Sequence, residues 1–296
     1  GSKSEACKVD WLFLAILAAF SLATADALTK KHFSRRRAYE MGIPRLPYTL
    51  PWLVIALFFI PWPRLDSTFF LAFGAALPLE VLAFLCYMRA IKISPLSLTL
   101  PFLAFTPVFI ILTGRLILGE TVTLPGVAGI LCIVAGAYSL NLSQASIGVL
   151  EPFRAIFREP GSVLMLLVSF IYSITSALGK LAVLHSNPYF FGVSYYVVLA
   201  LLMLSLLPLM KKARAETLLK NPRAGLMVGA FMAMMVISHM LAISLVEAAY
   251  MIAVKRTSLL FGVLYGAWLF REKKITERLA GALIMVTGVL VIGWFG

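Results

Sequence analysis

Gly129-Ile130-Leu131-Cys132-Ile133-Val134-Ala135-Gly136 is met again 152 residues later as Gly281-Ala282-Leu283-Ile284-Met285-Val286-Thr287-Gly288. Both octets lie inside long apolar blocks, and in both the glycines stand seven apart, on one face of a helix. Small residues on one face let helix backbones approach closely in lipid, so packing is the role expected of all four glycines. The repeat extends well beyond the octets. At the same offset Ala90 meets Ala242, Ile91 meets Ile243, Phe109 meets Phe261 and Glu120 meets Glu272. At an offset of 150, Phe20 meets Phe170, Ala27 meets Ala177, Leu28 meets Leu178 and Lys30 meets Lys180. Matches between apolar letters weigh little; the glycine and charged matches carry the duplication, because those residues are scarce here.

The chain is 61% hydrophobic and 13% charged, against roughly 25% charged in a soluble domain. A membrane-spanning helix needs roughly 17–25 mostly apolar residues, and ten such stretches are expected: 11–31, 48–63, 67–89, 94–118, 122–141, 162–184, 188–209, 223–246, 249–270 and 275–295. The alternation of a membrane barrel is missing, so helices must satisfy the backbone. The fold class is therefore all-α and integral to the membrane, with ten helices as two five-helix units. The units are 11–141 and 162–295, joined by a linker at 142–161 in which Glu151 to Arg158 reads as a short interfacial helix. Five is odd, so the second unit enters from the opposite side, giving an inverted repeat of the kind used for alternating access.

The net charge of +13 does not point to nucleic acid, because the basic residues cluster between apolar blocks. Odd-numbered loops hold nineteen Lys and Arg, in clusters such as Lys30 to Arg37, Lys211 to Arg214 and Arg271 to Lys274; even-numbered loops and the termini hold five. The positive-inside rule then puts the odd loops in the cytoplasm and both termini outside. Cys7, Cys86 and Cys132 have neither metal nor redox spacing. No cleavable leader is expected: Ser2 to Asp10 is polar and the first apolar block is followed by others.

The chain resembles the EamA family of the drug/metabolite transporter superfamily. The resemblance is carried by Ala90-Ile91-Lys92-Ile93-Ser94-Pro95, Thr106-Pro107-Val108, Leu118-Gly119-Glu120, Gly129 and Gly136, with Glu272, Gly281 and Gly288 repeating part of the pattern. It covers nearly the whole chain, from about Leu12 to Gly293. The second half departs from the pattern: Leu259 stands where Pro107 stands in the first, and Arg271-Glu272 replaces Gly119-Glu120. The resemblance implies a ten-helix fold with a central cavity and transport, often export, of small metabolites.

Ionisable residues deep in a bilayer are costly and mark sites or partners. Glu80, in Pro78-Leu79-Glu80, lies about 18 Å into the third span, and Lys255 with Arg256 about 10 Å into the ninth, at ~1.5 Å per residue. They form either a structural ion pair between the halves or a substrate or proton site, and a pair that breaks on binding is both. Two cations against one carboxylate leave positive charge over, which favours an anionic ligand group that Arg grips bidentately. Lys255 could instead snorkel to the interface. Sugar-phosphate translocators of the same superfamily also carry a Lys-Arg pair on a late helix, an analogy at the level of fold. His239 lies at the depth of Lys255 and reads either as a hydrogen-bonded packing residue or as a proton relay. Tyr172, Tyr195 and Tyr196 offer hydroxyls and flat faces to a small polar ligand; an interfacial aromatic belt is the competing role, strongest for Tyr250. Asp26 and Lys30 are four apart and can pair along one helix face. Lys30 and Lys180 are expected to snorkel at the interface. Glu120 and Glu272 are expected at helix ends, capping a helix or pairing with a basic residue.

The substrate-binding candidates are thus Glu80, Tyr172, Tyr195, Tyr196, His239, Lys255 and Arg256. No catalytic residues, metal ligands or cofactor are expected, and no phosphate-binding loop for ATP is present. The function expected is secondary transport, by export or exchange, of a small metabolite with an anionic group. A flippase for a lipid-linked or amphipathic substrate is the alternative. An intramembrane enzyme would need paired catalytic groups, and a scaffold would gain nothing from buried cations. The expected setting is a prokaryotic inner membrane, as monomer or homodimer.

Overall fold

The computed structural model describes residues 2–33, 45–94, 99–145, 150, 154, 158–206, 221–270 and 276–295. The loop from Lys31 to Pro47, the linker helix expected at Glu151 to Arg158, and Glu272 fall largely or wholly outside these residues. The elements of the described chain are all helices: α1 (Ser2–Phe33), α2 (Arg45–Phe59), α3 (Ser67–Ile93), a 3-10 stretch (Leu100–Phe105), α4 (Thr106–Leu118), α5 (Leu124–Ala145), α6 (Pro160–Leu184), α7 (Pro188–Leu206), α8 (Pro222–Leu245), α9 (Ala248–Lys255), α10 (Ser258–Phe270) and α11 (Thr276–Phe295).

Among the described residues, seven stretches are long and apolar enough to cross a membrane: Asp10–Phe33, Ser67–Ile93, Leu100–Leu118, Pro160–Leu184, Pro188–Ser205, Pro222–Leu245 and Ala248–Leu269. Three shorter apolar helices, Pro47–Phe59, Leu124–Leu140 and Ala280–Phe295, occupy the places of the second, fifth and tenth expected spans. The chain is a multi-pass membrane protein.

Local chemistry sets the helix ends. The Asp66 carboxylate accepts from Phe69 N at 2.8 Å and caps α3. Asn187-Pro188 and Asn221-Pro222 start α7 and α8, each asparagine oxygen accepting from the backbone three residues on, with proline in the first turn where no amide is missed. Gly119, at φ 69°, stops α4 in the left-handed conformation that glycine adopts without strain. The second helix ends at Phe59, earlier than the 63 expected, leaving Pro61 and Pro63 outside it.

The repeat glycines meet one another. Gly129 packs on Gly288 and Gly136 on Gly281, so α5 and α11 run antiparallel; a Cβ on Gly136 would stand 2.5 Å from the Gly281 carbonyl oxygen, and one on Gly288 2.6 Å from that of Gly129. The other extensive contacts pair α1 with α8 and α3 with α6. Each joins one half of the chain to the other, so the core is shared between the halves. Gly225 and Gly229 bring α8 under Tyr48 of α2, where a Cβ on Gly225 would stand 2.3 Å from the ring.

Two expected spans are not continuous helices. Within the fourth, the 3-10 stretch Leu100–Phe105 precedes the α-helix that starts at Thr106. The ninth is interrupted at Arg256-Thr257, where Arg256 N and Thr257 N bond back three residues, to Ala253 O and Val254 O. Ser258, where the helix resumes, stands 152 residues after Thr106, so both halves break at matching positions.

Candidate functional site

A cavity of ≈ 220 Å³ lies where the two breaks face each other. Its wall takes residues from both halves, and all seven substrate-binding candidates are on it: Glu80 from α3, Tyr172 from α6, Tyr195 and Tyr196 from α7, His239 from α8, Lys255 from the end of α9 and Arg256 from the break. On a continuous helix the last two would point about 100° apart. Here Lys255 closes α9 and Arg256 sits in the tightened turn beyond it, which brings both to one cavity.

Neither cation bonds Glu80. Lys255 Nζ lies 3.0 Å from His239 Nδ1, and Arg256 Nη2 donates to Thr106 Oγ1 at 2.8 Å. The direct Glu80–cation pair expected above is therefore not formed among the described residues, because each cation meets a neutral partner first. With Lys255 as ammonium, His239 accepts at Nδ1 and carries its proton on Nε2. Glu80 shares the cavity wall with Thr175 and Lys255. Arg256 Nε and Tyr195 Oη are buried without a hydrogen-bond partner among the described residues. Rings wall one side: Phe191 stacks on Tyr195 at 5.1 Å, and Tyr196 meets Tyr195 edge-on at 6.0 Å.

The Thr106 hydroxyl has its full complement of partners. It donates to Leu103 O at 2.9 Å, and it accepts from Arg256 and from Ser169 Oγ, 3.0 Å away. The guanidinium of the second half is thereby anchored at the helix break of the first.

Lys180 does not snorkel. It is buried, lies on the cavity wall, and bonds Glu120 and the carbonyl of Val246. Its repeat mate Lys30 is exposed. Glu120 pairs with Lys180 through one oxygen and accepts from Ala248 N at 2.9 Å through the other. Tyr250 is neither in an interfacial belt nor on the cavity; it is buried over Gly126, its hydroxyl accepting from Thr123 N at 2.9 Å. Asp26 pairs with Arg45 at 2.5 Å. Thr106, Thr175, Ser176 and Ser258, which are not among the substrate-binding candidates, also lie on the wall. A signal was present: Tyr172, Thr175, Ser176, Gly179 and Lys180 form a polar and small stripe at helical spacing along α6.

With Lys180 neutralised by Glu120, the wall carries two cations, Lys255 and Arg256, against the carboxyl of Glu80. Among the described residues no group of His, Cys, Asp and Glu is arranged to hold a metal ion.

An apolar helical bundle enclosing a small polar cavity at paired helix breaks defines a membrane transporter. The model of the EamA-like transporter family matches residues 10–142 and again 159–294, and the chain belongs to that family. It is accordingly a transporter of the drug/metabolite type and not an enzyme. One solved structure, described as a crystal structure of a protein, shares the fold at a TM-score of 0.72, covering 96% of this chain and 97% of its own at 14% identity. No curated protein matches the chain in sequence.

Proposed function

We propose that the protein is a secondary transporter, an exporter or exchanger, that moves a small metabolite with an anionic group by alternating access. One observation carries the reading: Lys255 and Arg256 stand together on the cavity wall, bonded to neutral His239 and Thr106 and opposed by the single carboxyl of Glu80. A buried charge must be compensated, and a ligand carboxylate or phosphate supplies what the wall lacks. Arg256 Nε and Tyr195 Oη are donors still without acceptors in its vicinity. The volume of ≈ 220 Å³ is below the roughly 300–1,000 Å³ of drug-sized ligand sites, which favours a compact soluble substrate over a lipid-linked one.

The ten-span inverted repeat, with units 11–141 and 162–295, is supported by the antiparallel Gly129–Gly288 and Gly136–Gly281 contacts and by the helix breaks at Thr106 and Ser258. The setting proposed is a prokaryotic inner membrane with both termini outside, on the distribution of basic residues. The test is a thermal-shift screen of purified protein against organic acids, sugar phosphates, amino acids and amines. Anions are expected to stabilise the wild type and to lose that effect in Arg256→Ala; stabilisation by amines alone would refute the reading.

A further inference from the structure

The Glu120 carboxylate joins three parts of the molecule. It follows α4 in the first half, it holds Lys180 on α6, and it accepts the Ala248 amide at the start of α9. Glu247, the residue before α9, makes no side-chain cap of its own, so the first turn of this helix is capped by a residue 128 positions earlier. Oxygen Oε2 lies 3.4 Å from where a Cβ on Gly114 would stand, so the carboxylate lies back over α4.

α9 is a short rod. It has eight residues, about 12 Å at the helical rise. It joins α8 through Val246-Glu247 and α10 through Arg256-Thr257. Its far end carries Lys255, with Arg256 just beyond. A movement of these cations with a bound ligand moves the rod, and the charged tie on its near end is Glu120. Lys180 belongs both to that tie and to the cavity wall. An anion in the cavity therefore competes with Glu120 for Lys180. The Thr123–Tyr250 bond beside it also holds α9 to the α4–α5 turn, but it is neutral and insensitive to a ligand's charge.

We propose that Glu120 is a positioning residue: clasped by Lys180, it is the catch that fixes α9 in the arrangement seen here and releases it during transport. This rests on the alternating-access reading above. A passive packing pair would stabilise the fold and nothing more. A catch also sets which side of the membrane reaches the cavity.

The test reads access. Cys7, Cys86 and Cys132 are replaced by alanine, and Ser176 on the cavity wall becomes cysteine. Labelling by a membrane-impermeant maleimide is timed from each face, with Thr121→Cys in a separate variant marking the face that bears the exposed α4–α5 turn. Glu120→Gln keeps an oxygen for Ala248 N while removing the charge; Lys180→Met removes the other partner. Loss of one charge-assisted hydrogen bond from one of two states shifts their ratio roughly ten- to a hundredfold. Both variants are expected to change the ratio of labelling between the faces by at least about tenfold. A lowered melting temperature with an unchanged ratio overturns the catch. Labelling from a single face in the parent and both variants overturns alternating access, and the catch with it.

Discussion

Arg256 and Thr106, 150 residues apart in the chain, are joined by a 2.8 Å hydrogen bond from guanidinium Nη2 to hydroxyl oxygen. The bond crosses from the helix break of one half to that of the other. It satisfies part of a buried cation with a neutral partner and leaves its charge for a ligand. In the same wall the Lys255 ammonium is held by an imidazole instead of a carboxylate.

Arg256→Ala and Lys255→Ala are each expected to lower transport by roughly thirtyfold or more, the scale of losing one partner of a buried hydrogen-bonded charge pair. Both should remain inserted and monodisperse by size-exclusion chromatography. Normal transport by either variant would show that the cation is no part of the substrate site.

Thr106→Val removes the acceptor of the guanidinium while keeping the shape of the side chain. An unsatisfied buried donor costs about 1–3 kcal/mol, so the melting temperature should fall and the KM for the anionic substrate should rise. Thr106→Ser, which retains the hydroxyl, should restore both. Thermal unfolding and substrate titration of the two variants side by side decide it.

Gly136→Val places branched carbon against the Gly281 carbonyl and Met285. Overpacking of this kind costs about 1–3 kcal/mol. The variant should unfold at a lower temperature in detergent, whereas Gly74→Ala, where a Cβ would meet nothing within 4 Å, should be close to neutral there.

Asp66 and His185 tie the start of α3 to the end of α6 at 2.6 Å. The Phe69 amide and then the His185 side chain hold the Asp66 carboxyl below its ordinary value. A carboxyl depressed on folding contributes stability that is present above its unfolded pKa, near 4, and fades as the pH falls through the depressed folded value. Thermal stability should therefore decline below about pH 4. Asp66→Asn, which still caps α3, should show a shallower decline. The group is solvent-exposed, so the difference is small; equal acid limbs for the two proteins would remove Asp66 from the explanation.

A phosphatase active only outside the cytoplasm, fused after Gly296, should be active, and a fluorescent protein that matures only in the cytoplasm should stay dark at the same place. The nineteen-to-five split of basic residues between the two sets of loops sets this expectation. A bright fluorescent fusion reverses the orientation.

Much of this molecule is written along the chain. Polar atoms inside long apolar blocks stand out, which is why Glu80, the three tyrosines, His239, Lys255 and Arg256 could be picked and are found around one cavity. Glycine pairs seven apart told which helices would pack tightly. What the chain hides is what depends on neighbours. Lys180 lies near the end of its span, and position along one helix says nothing of Glu120 and Val246 closing over it. In the first half, Pro101 in the first turn of the 3-10 stretch and Pro107 in the first turn of α4 mark the break. In the second half, Leu259 stands in place of Pro107, and neither glycine nor proline lies between Ala253 and Ser258. That break, the one that brings Lys255 and Arg256 to a single cavity, leaves no local sign.

Glu120 capping α9 from the other half also bears on biosynthesis. The ribosome delivers the carboxylate 128 residues before the amide that needs it. Thr106 likewise precedes Arg256, and Gly129 and Gly136 precede Gly288 and Gly281. The early half can thus serve as a template already in the bilayer, on which the later half completes itself. Expressed alone, the later half would insert with an uncapped rod, a lysine without its acid and an arginine without its hydroxyl. In a tandem of two second halves, Glu272, Ser258, Gly281 and Gly288 would stand at the places of Glu120, Thr106, Gly129 and Gly136, so such a chain would test whether these groups alone are enough for the template.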